Sequence, residues 1–249
     1  MTRALILSGA GRYADPWHPF ADTSDRLAAL VRAEGLSVEV SGDVDERMAA
    51  LRSTDDPDLL VLNIGDPALA GDEAPEAERR GREGLLAHLG RGRPLLASHV
   101  SSTSLRGIPE WEAILGGVWV RGTSFHPDYD RARIHVHRER HGIVSGLPDF
   151  EVEDERYTDL RVAPDVVPLA GHLHEGREHP LLWARAYGPA RVVYDALGHD
   201  AASYASATHR EILARSVRWL LGRPIAAAAP ERGMPLGQRD AKTDGYSLE

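Results

Sequence analysis

The chain has 249 residues, of which 42% are hydrophobic, so it can bury a sizeable core as one large domain or at most two small ones. Its formal net charge of −9 argues against nucleic acid or an anionic membrane surface as the main partner, because both attract clusters of Lys and Arg. The absence of cysteine excludes disulfides, thiolate metal ligands and a thiol nucleophile.

Apolar strands and amphipathic helices alternate along much of the chain. The segments that predict strands are "ALILSGA" (4–10), "LSVEVSGD" (36–43), "DLLVLNIGD" (58–66), "RPLLAS" (93–98) and "ARVVYDALGHD" (190–200), and the first is a continuous apolar run, as expected of a strand buried on both faces. Apolar residues at helical spacing predict helices at 22–35, 76–92 and 206–222. This alternation predicts an α/β fold with a doubly wound, mostly parallel sheet and helices on both faces.

Two other regions depart from that pattern. Shorter alternating segments at 117–126, 132–139 and 149–157 predict extra antiparallel or edge strands. From 223 to 249 the sequence has no periodicity, which predicts a disordered tail after a single domain at 1–222. The first apolar run is too short for a signal peptide, and no run approaches the roughly 20 apolar residues of a membrane helix. We therefore expect a soluble, cytoplasmic protein.

Polar side chains follow the predicted parallel strands at the edge where open α/β sheets bind ligands. The residues at these strand ends include Tyr13, Trp17, His18, Asn63, His99 and His199. Three of them are histidines from three separate strand ends, so we expect these to face one cleft. A simple binding site rarely needs several groups that titrate near pH 7, and the convergence therefore favours catalysis.

Other motifs have simpler interpretations. "GAGR" (9–12) follows a strand but lacks the third glycine and the acidic ribose partner of a dinucleotide loop, so no nucleotide cofactor is expected. His135 and His137 share a strand face that can chelate a metal, although a solvated edge is favoured. The His-rich segment 171–179 is interpreted as a turn. Two further histidines are interpreted as surface positions on helices: His88 and His209.

The segment "DFEVEDERY" (149–157) places an acid on an apolar strand face. Phe150 and Val152 share one face by alternation, and Asp154 continues it. A buried acid needs a partner. The segment is either a solvated acidic strand end, or it brings Asp154 or Glu155 to the histidines as a general base, an orienting carboxylate or a metal ligand.

A set of motifs spread along the chain resembles a known family. The motifs are "WHPF" after the first strand, the strand that ends at His99, "PEWEAILGGVWVRGTSFHP", "HGIVSGLPDFEVEDERY" and "HPLLWARAYGPARVVYDALGHD". Together they resemble the trehalose-utilisation (ThuA-like) family, a branch of the class I glutamine-amidotransferase-like, flavodoxin-like folds, over about residues 4–222. The chain departs from the family at His141-Gly142, where His-Pro is usual, and at Ser98, where a small apolar residue or Gly is common.

The resemblance implies a carbohydrate or keto-sugar substrate, since ThuA-like proteins are associated with disaccharide use in pathways that first oxidise a sugar to its 3-keto form. In the related amidotransferases a cysteine stands at or beside the position of His99, so glutaminase chemistry is not expected. The leading hypothesis is an enzyme that transfers a proton at a carbon next to a carbonyl. Isomerase, lyase and hydrolase reactions all remain open.

The predicted site residues fall into three groups. The catalytic candidates are His99, His199, Asp154 and Glu155. The candidates for substrate binding are Tyr13, Trp17, Tyr157 and Asn63. The candidates for holding a divalent metal (Zn, Mn or Fe) are His18, His99, His126 and His199. The expected partner is a small-molecule carbohydrate, and the sequence leaves open whether the chain forms a homo-oligomer.

Two alternative functions belong to different classes. The first is a non-catalytic sugar-binding or regulatory module that keeps the fold, which fold alone does not exclude. Such a module should tolerate His99→Ala, whereas an enzyme should not. The second is a serine hydrolase that uses Ser101 or Ser102, but "SHVSS" (98–102) does not match the Gly-x-Ser-x-Gly elbow.

Overall fold

The structure is a computed structural model that describes residues 1–53, 56–67 and 74–225. Most of the predicted tail at 223–249 lies outside these residues. The strands are β1 (Arg3–Ser8), β2 (Ser37–Ser41), β3 (Leu59–Asn63), β4 (Leu95–Ser98), β5 (Gly117–Val118), β6 (Asp130–Val136), β7 (Phe150–Asp154), β8 (Arg161–Val162), β9 (Val167–His174), β10 (Arg177–Tyr187) and β11 (Ala190–Asp195). The helices are α1 (Phe20–Ala33), α2 (Val44–Ala50), α3 (Pro75–Gly90), α4 (Trp111–Leu115) and α5 (Ala207–Leu220).

A nine-stranded sheet in the order β2-β1-β3-β4-β11-β10-β9-β6-β7 forms the centre of the molecule. The first five strands in this order, β2, β1, β3, β4 and β11, run parallel to one another. Every residue of β3 and β4 is buried, as is typical of strands covered on both faces. The predicted α/β fold with a parallel sheet and extra antiparallel strands is confirmed, and the carboxyl ends of β1, β3, β4 and β11 lie along one edge.

The second half of the sheet is antiparallel, from β11 through β10, β9 and β6 to β7. The strand β7 alternates buried and exposed residues, as the sequence predicts for 149–157. The interpretation of 171–179 as a turn is correct only at its centre, where Glu175 and Gly176 adopt positive φ angles. The flanking histidines belong to the β9–β10 hairpin, in which His172 pairs with His179 and His174 pairs with Arg177.

The helices pack their apolar stripes against the sheet. In α1 the buried residues Leu27, Ala28 and Val31 follow helical spacing. The helix α2, which the sequence analysis did not identify, lies directly against α3. A Cβ atom added at Gly84 would stand 1.8 Å from the Met48 carbonyl oxygen, so this crossing requires glycine. Among the described residues, no helix combines the length and apolar character needed to cross a membrane.

The interpretation of His88 and His209 as surface positions is wrong. Both side chains are fully buried, and each has a carboxylate partner at hydrogen-bond distance. His88 Nδ1 lies 2.9 Å from Asp56 Oδ2, and His209 Nε2 lies 2.7 Å from Asp195 Oδ2. Buried imidazoles are stable here because both ring nitrogens of each histidine have hydrogen-bond partners. The sequence shows charged residues near His88 and His209 and does not reveal these partners.

Candidate functional site

A cleft of about 520 Å³ opens at the carboxyl edge of the parallel strands. Its wall combines aromatic, cationic and acidic side chains with one aliphatic residue and one threonine. The lining residues are Asp15, Trp17, His18, Asp66, Val100, Thr103, Arg106, Trp119, Arg121, His126, Glu155, Tyr157 and His199. Such a mixture of apolar area and a few convergent polar groups is typical of small-molecule sites. The cleft lies where open α/β sheets place their ligands.

Four side chains of this region form a compact cluster: His18, His99, Glu155 and His199. Each offers one ligand atom, and these atoms all lie within 4.8 Å of one another. The three imidazole rings are 5.0 to 5.5 Å apart, centroid to centroid. Three imidazole nitrogens and a carboxylate are a donor set suited to zinc, manganese or iron, so these residues can hold a divalent metal.

His99 occupies a strained turn directly after β4. Its φ of +44° lies in the left-handed region, which is rare for a residue with a side chain. The Tyr194 hydroxyl donates to the His99 carbonyl oxygen at 2.8 Å and helps to hold this backbone. His99 Nδ1 lies 2.7 Å from the Ala196 carbonyl oxygen. Since a carbonyl only accepts, Nδ1 carries the hydrogen, and a neutral His99 presents the lone pair of Nε2 to the cluster.

His18 is fixed in a similar way by Asp15. His18 Nδ1 lies 2.7 Å from Asp15 Oδ1, and the backbone N–H groups of Trp17 and His18 donate to the same carboxylate. Burial lowers the pKa of His18, despite the opposing effect of Asp15. The ring is therefore neutral at pH 7. Its Nε2 is buried and has no hydrogen-bond partner among the described residues, which is the state expected of a ligand atom.

Glu155 stands between three imidazoles. Its Oε2 lies 3.4 Å from His99 Nε2 and 3.3 Å from His199 Nδ1, and its Oε1 lies 3.6 Å from His126 Nε2. Burial raises the pKa of Glu155, but His199 and His99 lower it more, so this pKa lies well below its usual range. For His199, burial lowers the pKa and Glu155 raises it, and the net direction is upward. Without a metal, these shifts favour an ion pair between Glu155 and a protonated His199.

Asp154 lies behind this cluster, and its predicted catalytic role is not supported by its position. The side chain is fully buried, and its carboxylate accepts backbone N–H groups from Glu155 at 2.8 Å, Gly198 at 2.7 Å and His199 at 3.2 Å. Asp154 is the last residue of β7 and Glu155 follows it, so strand alternation points their side chains in opposite directions. Asp154 therefore holds the backbone that presents Glu155 and His199 to the cleft.

Two of the predicted substrate-binding residues face away from the cleft. The Tyr13 hydroxyl is bound to Asp45 at 2.8 Å, and the Tyr13 side chain is part of the core. Asn63 Nδ2 donates to the hydroxyls of Thr23 and Ser24 at 2.8 and 2.9 Å, where it ties β3 to α1. Both residues follow strands at the correct edge, but their side chains point to the helix layer.

The remaining predicted residues lie at the cleft. Tyr157 Oη is 3.1 Å from His99 Nε2, and the Trp119 ring packs on the Tyr157 ring at 4.7 Å. Trp17 lines the cleft with 63% of its surface exposed, which is unusual for so large an apolar side chain. His126 also lines the cleft, next to Glu155, but it is outside the four-residue cluster.

The sequence analysis missed three charged residues of the cleft: Asp15, Arg106 and Arg121. Asp15 precedes His18 by only three positions, and this short spacing is a local signal that the two side chains can pair. Arg121 Nη2 lies 2.7 Å from the buried Asp66 Oδ2. Asp66 comes three residues after the end of β3 and is the acidic end of the segment at 58–66. Nothing near Arg121 in the sequence marks it as a partner of this carboxylate.

Comparisons with known proteins agree with this architecture. The family model described as ThuA, trehalose utilisation, matches residues 3–220. A protein described as ThuA-like, from Parabacteroides merdae, is similar in structure with a TM-score of 0.72 at 19% identity, covering 92% of this chain and 93% of that chain. Another ThuA-like protein, from Bacteroides uniformis, has a TM-score of 0.67 at 16% identity, with coverages of 88% and 91%.

A more distant similarity links the fold to the amidotransferases. A glutamine amidotransferase from Thermotoga maritima has a TM-score of 0.50 at 10% identity, covering 88% of this chain and 98% of that chain. At such low identities the solved structures show the fold and not the activity. A search of the curated proteins found no match.

Proposed function

Since the chain belongs to the trehalose-utilisation (ThuA) family, we propose that it is an enzyme of carbohydrate utilisation. It acts on a keto-sugar or related glycoside by moving a proton at a carbon next to the carbonyl. The observation that carries the proposal is the cluster of three imidazoles and Glu155 at an aromatic-lined cleft. Family membership supports a carbohydrate substrate, and several titratable groups at one place support catalysis rather than simple binding.

The proposal includes a divalent cation held by His18, His99, Glu155 and His199. The buried Nε2 of His18, which lacks a hydrogen-bond partner among the described residues, fits this role. So do the anchored Nδ1 atoms of His18 and His99, because metal-binding imidazoles commonly donate their other N–H to a carboxylate or carbonyl. A cation held by these residues would supply Lewis-acid stabilisation of negative charge on the carbonyl oxygen of the substrate.

His126 is the proposed base. Its Nδ1 lies 2.9 Å from the Pro127 carbonyl oxygen, so Nδ1 carries the hydrogen and neutral His126 offers the lone pair of Nε2. This side chain lines the cleft beside Glu155 but is outside the proposed ligand set. An imidazole suits proton transfer because its ordinary pKa lies close to neutral pH.

Tyr157 and the two tryptophans orient the sugar in this proposal. Burial raises the pKa of Tyr157 well above its ordinary value, so its hydroxyl stays protonated. This hydrogen faces the lone pair of His99 Nε2, and a cation bound to Nε2 would free it to donate to a substrate oxygen. Trp17 and Trp119 both line the cleft and offer aromatic faces to the apolar side of a sugar ring. The exposure of Trp17 supports such a role, because packing in the core does not use this ring.

The first test is the metal content of purified, untagged protein. Wild type should hold about one equivalent, and His99→Ala, His199→Ala and Glu155→Gln should hold far less. His135→Gln is the matched control, since His135 lies on β6, pairs with Asp149 and is not part of the cleft wall, so this change should leave the metal content unchanged. No metal in wild type after reconstitution with zinc, manganese or iron would remove the cation from the proposal.

The second test follows the chemistry itself. Wild-type protein is incubated in D2O with a 3-keto glycoside, and NMR monitors deuterium uptake at the carbons next to the carbonyl. We expect uptake that is reduced at least tenfold in His126→Gln. If wild type binds the keto-sugar but exchanges no proton and forms no product, the protein is a binding module and the proposed enzyme function is wrong.

A further inference from the structure

A second polar cluster lies deep in the protein behind the cleft. It consists of Asp195, His209 and Ser203, each at most 1% exposed. His209 Nε2 lies 2.7 Å from Asp195 Oδ2, and His209 Nδ1 lies 3.3 Å from Ser203 Oγ and 3.0 Å from the Ser203 carbonyl oxygen. These are the residue types of a serine hydrolase triad. Because Ser203 is fully buried, however, no substrate reaches its hydroxyl.

The hydrogen bonds in this cluster have one consistent direction. The Ser203 hydroxyl lies beside the Asp154 carboxylate and lowers its pKa, against the larger effect of burial, as expected of a hydroxyl that donates to a carboxylate. Ser203 therefore donates to Asp154 and accepts from His209 Nδ1, while His209 Nε2 donates to Asp195. Both ring nitrogens of His209 face acceptors, so an imidazolium satisfies every group. Burial lowers the pKa of His209 and Asp195 raises it, with a net upward direction.

The chain of bonds reaches the cleft at two places. At the first, Asp154 accepts the backbone N–H groups of Glu155, Gly198 and His199. At the second, Asp195 Oδ1 accepts the N–H of Leu197 at 2.9 Å. Leu197 directly follows Ala196, whose carbonyl fixes the ring of His99. Three of the four cluster residues are thus attached to this buried network.

We infer that Ser203 and His209 are positioning residues that set the orientation of Glu155, His199 and His99 from behind the cleft. The inference rests on the proposed function, since it concerns the groups proposed there to hold a cation. Partners behind a metal ligand commonly affect metal affinity by about 10-fold to 100-fold. A purely structural role would lower stability and leave the cleft unchanged.

The test compares Ser203→Ala and His209→Gln with His88→Gln. His88 is a suitable control because it is equally buried and also paired with a carboxylate, but it contacts Asp56 and Pro94 at the opposite, amino-terminal ends of β3 and β4. Two quantities are measured for each variant: the Kd for zinc or manganese, by competition with a chromogenic chelator, and the free energy of unfolding in urea.

We expect a Kd at least tenfold higher for Ser203→Ala and His209→Gln and an unchanged Kd for His88→Gln, even where His88→Gln is the less stable protein. Wild-type affinity in a folded Ser203→Ala would overturn the inference. Ser203→Ala removes a single oxygen atom and keeps the test decisive if His209→Gln does not fold.

A metal-free readout separates this inference from the proposed function. The imidazole signals of His99 and His199 are recorded by ¹H–¹⁵N NMR in the presence of a chelator. They should shift in Ser203→Ala and stay in place in His88→Gln. Wild type without metal affinity would refute the proposed cation but not the positioning role, whereas unshifted signals would refute the positioning role alone.

Discussion

Asp154→Asn changes one atom and should lower the free energy of unfolding by about 2 kcal/mol. In the native protein, Oδ1 of Asp154 accepts two backbone N–H groups, from Glu155 and His199, and Oδ2 accepts a third, from Gly198. An asparagine must turn its NH2 group toward one of these two sets. At least one buried N–H group then loses its acceptor, which costs about 1–3 kcal/mol.

The same substitution removes a buried charge, and this effect acts in the opposite direction. Burial raises the pKa of Asp154, so keeping this carboxylate ionised at neutral pH costs stability. A protonated Asp154 would still accept backbone N–H groups through both oxygens, whereas an NH2 group accepts none. The loss of acceptors therefore dominates in either protonation state.

The assay is urea unfolding of the metal-free protein at pH 7, with thermal unfolding in parallel. For a domain of this size, about 2 kcal/mol corresponds to a fall in Tm of about 4–8 °C. Glu153→Gln is the control, because Glu153 is an exposed residue of the same strand. An Asp154→Asn protein as stable as wild type, or more stable, would show that the buried charge outweighs the hydrogen bonds and would refute the reasoning.

Three further predictions concern the same region. Gly198→Ala should destabilise the protein by about 1–3 kcal/mol in urea unfolding, because φ is +108° and the new Cβ would lie 2.8 Å from a tyrosine hydroxyl. Tyr194→Phe should lower the unfolding free energy by about 1 kcal/mol, since the buried His99 carbonyl loses its closer hydroxyl donor at 2.8 Å and keeps the Ser102 hydroxyl at 3.4 Å. In metal-free protein, the Glu155–His199 pair should stabilise more at pH 6 than at pH 8. Because folding raises the pKa of His199, this residue contributes its full stabilisation below the pKa it has in the unfolded chain, and the stabilisation is lost as pH rises through its pKa in the folded protein. The lowered pKa of Glu155 keeps its carboxylate ionised throughout this window. The check is to measure Tm at pH 6 and at pH 8 for wild type and for Glu155→Gln. An equal change in Tm between the two pH values in both proteins would contradict the predicted role of the pair.

The parallel half of the fold could be predicted from the sequence because most of its strands are largely apolar runs between clear helix patterns, the half-exposed edge strand β2 being the exception. The runs at 58–66 and 93–98 coincide with strands buried on both faces. The β9–β10 hairpin was missed because two of its histidines, His172 and His179, lie at buried positions, although histidine is usually a polar surface residue. Their partners come from the neighbouring strand, and this pairing is a property of the assembled sheet.

The site was partly predictable for a related reason. His18, His99 and His199 follow different strands, and the rule that parallel strands share a carboxyl edge brings them together. That rule does not specify which way a side chain points. Tyr13 and Asn63 therefore looked equally suitable, although their hydroxyl and amide groups bind partners in the helix layer.

The four cluster residues come from places spread over nearly the whole chain: before α1, after β4, after β7 and after β11. In an unfolded chain they are far apart, so a ligand that needs all four binds only the native protein. Such a ligand adds about 2.7 kcal/mol to the unfolding free energy at a concentration 100 times its Kd. The supply of that ligand in the cell would then govern how often the chain opens to proteases, and with it the abundance of the protein.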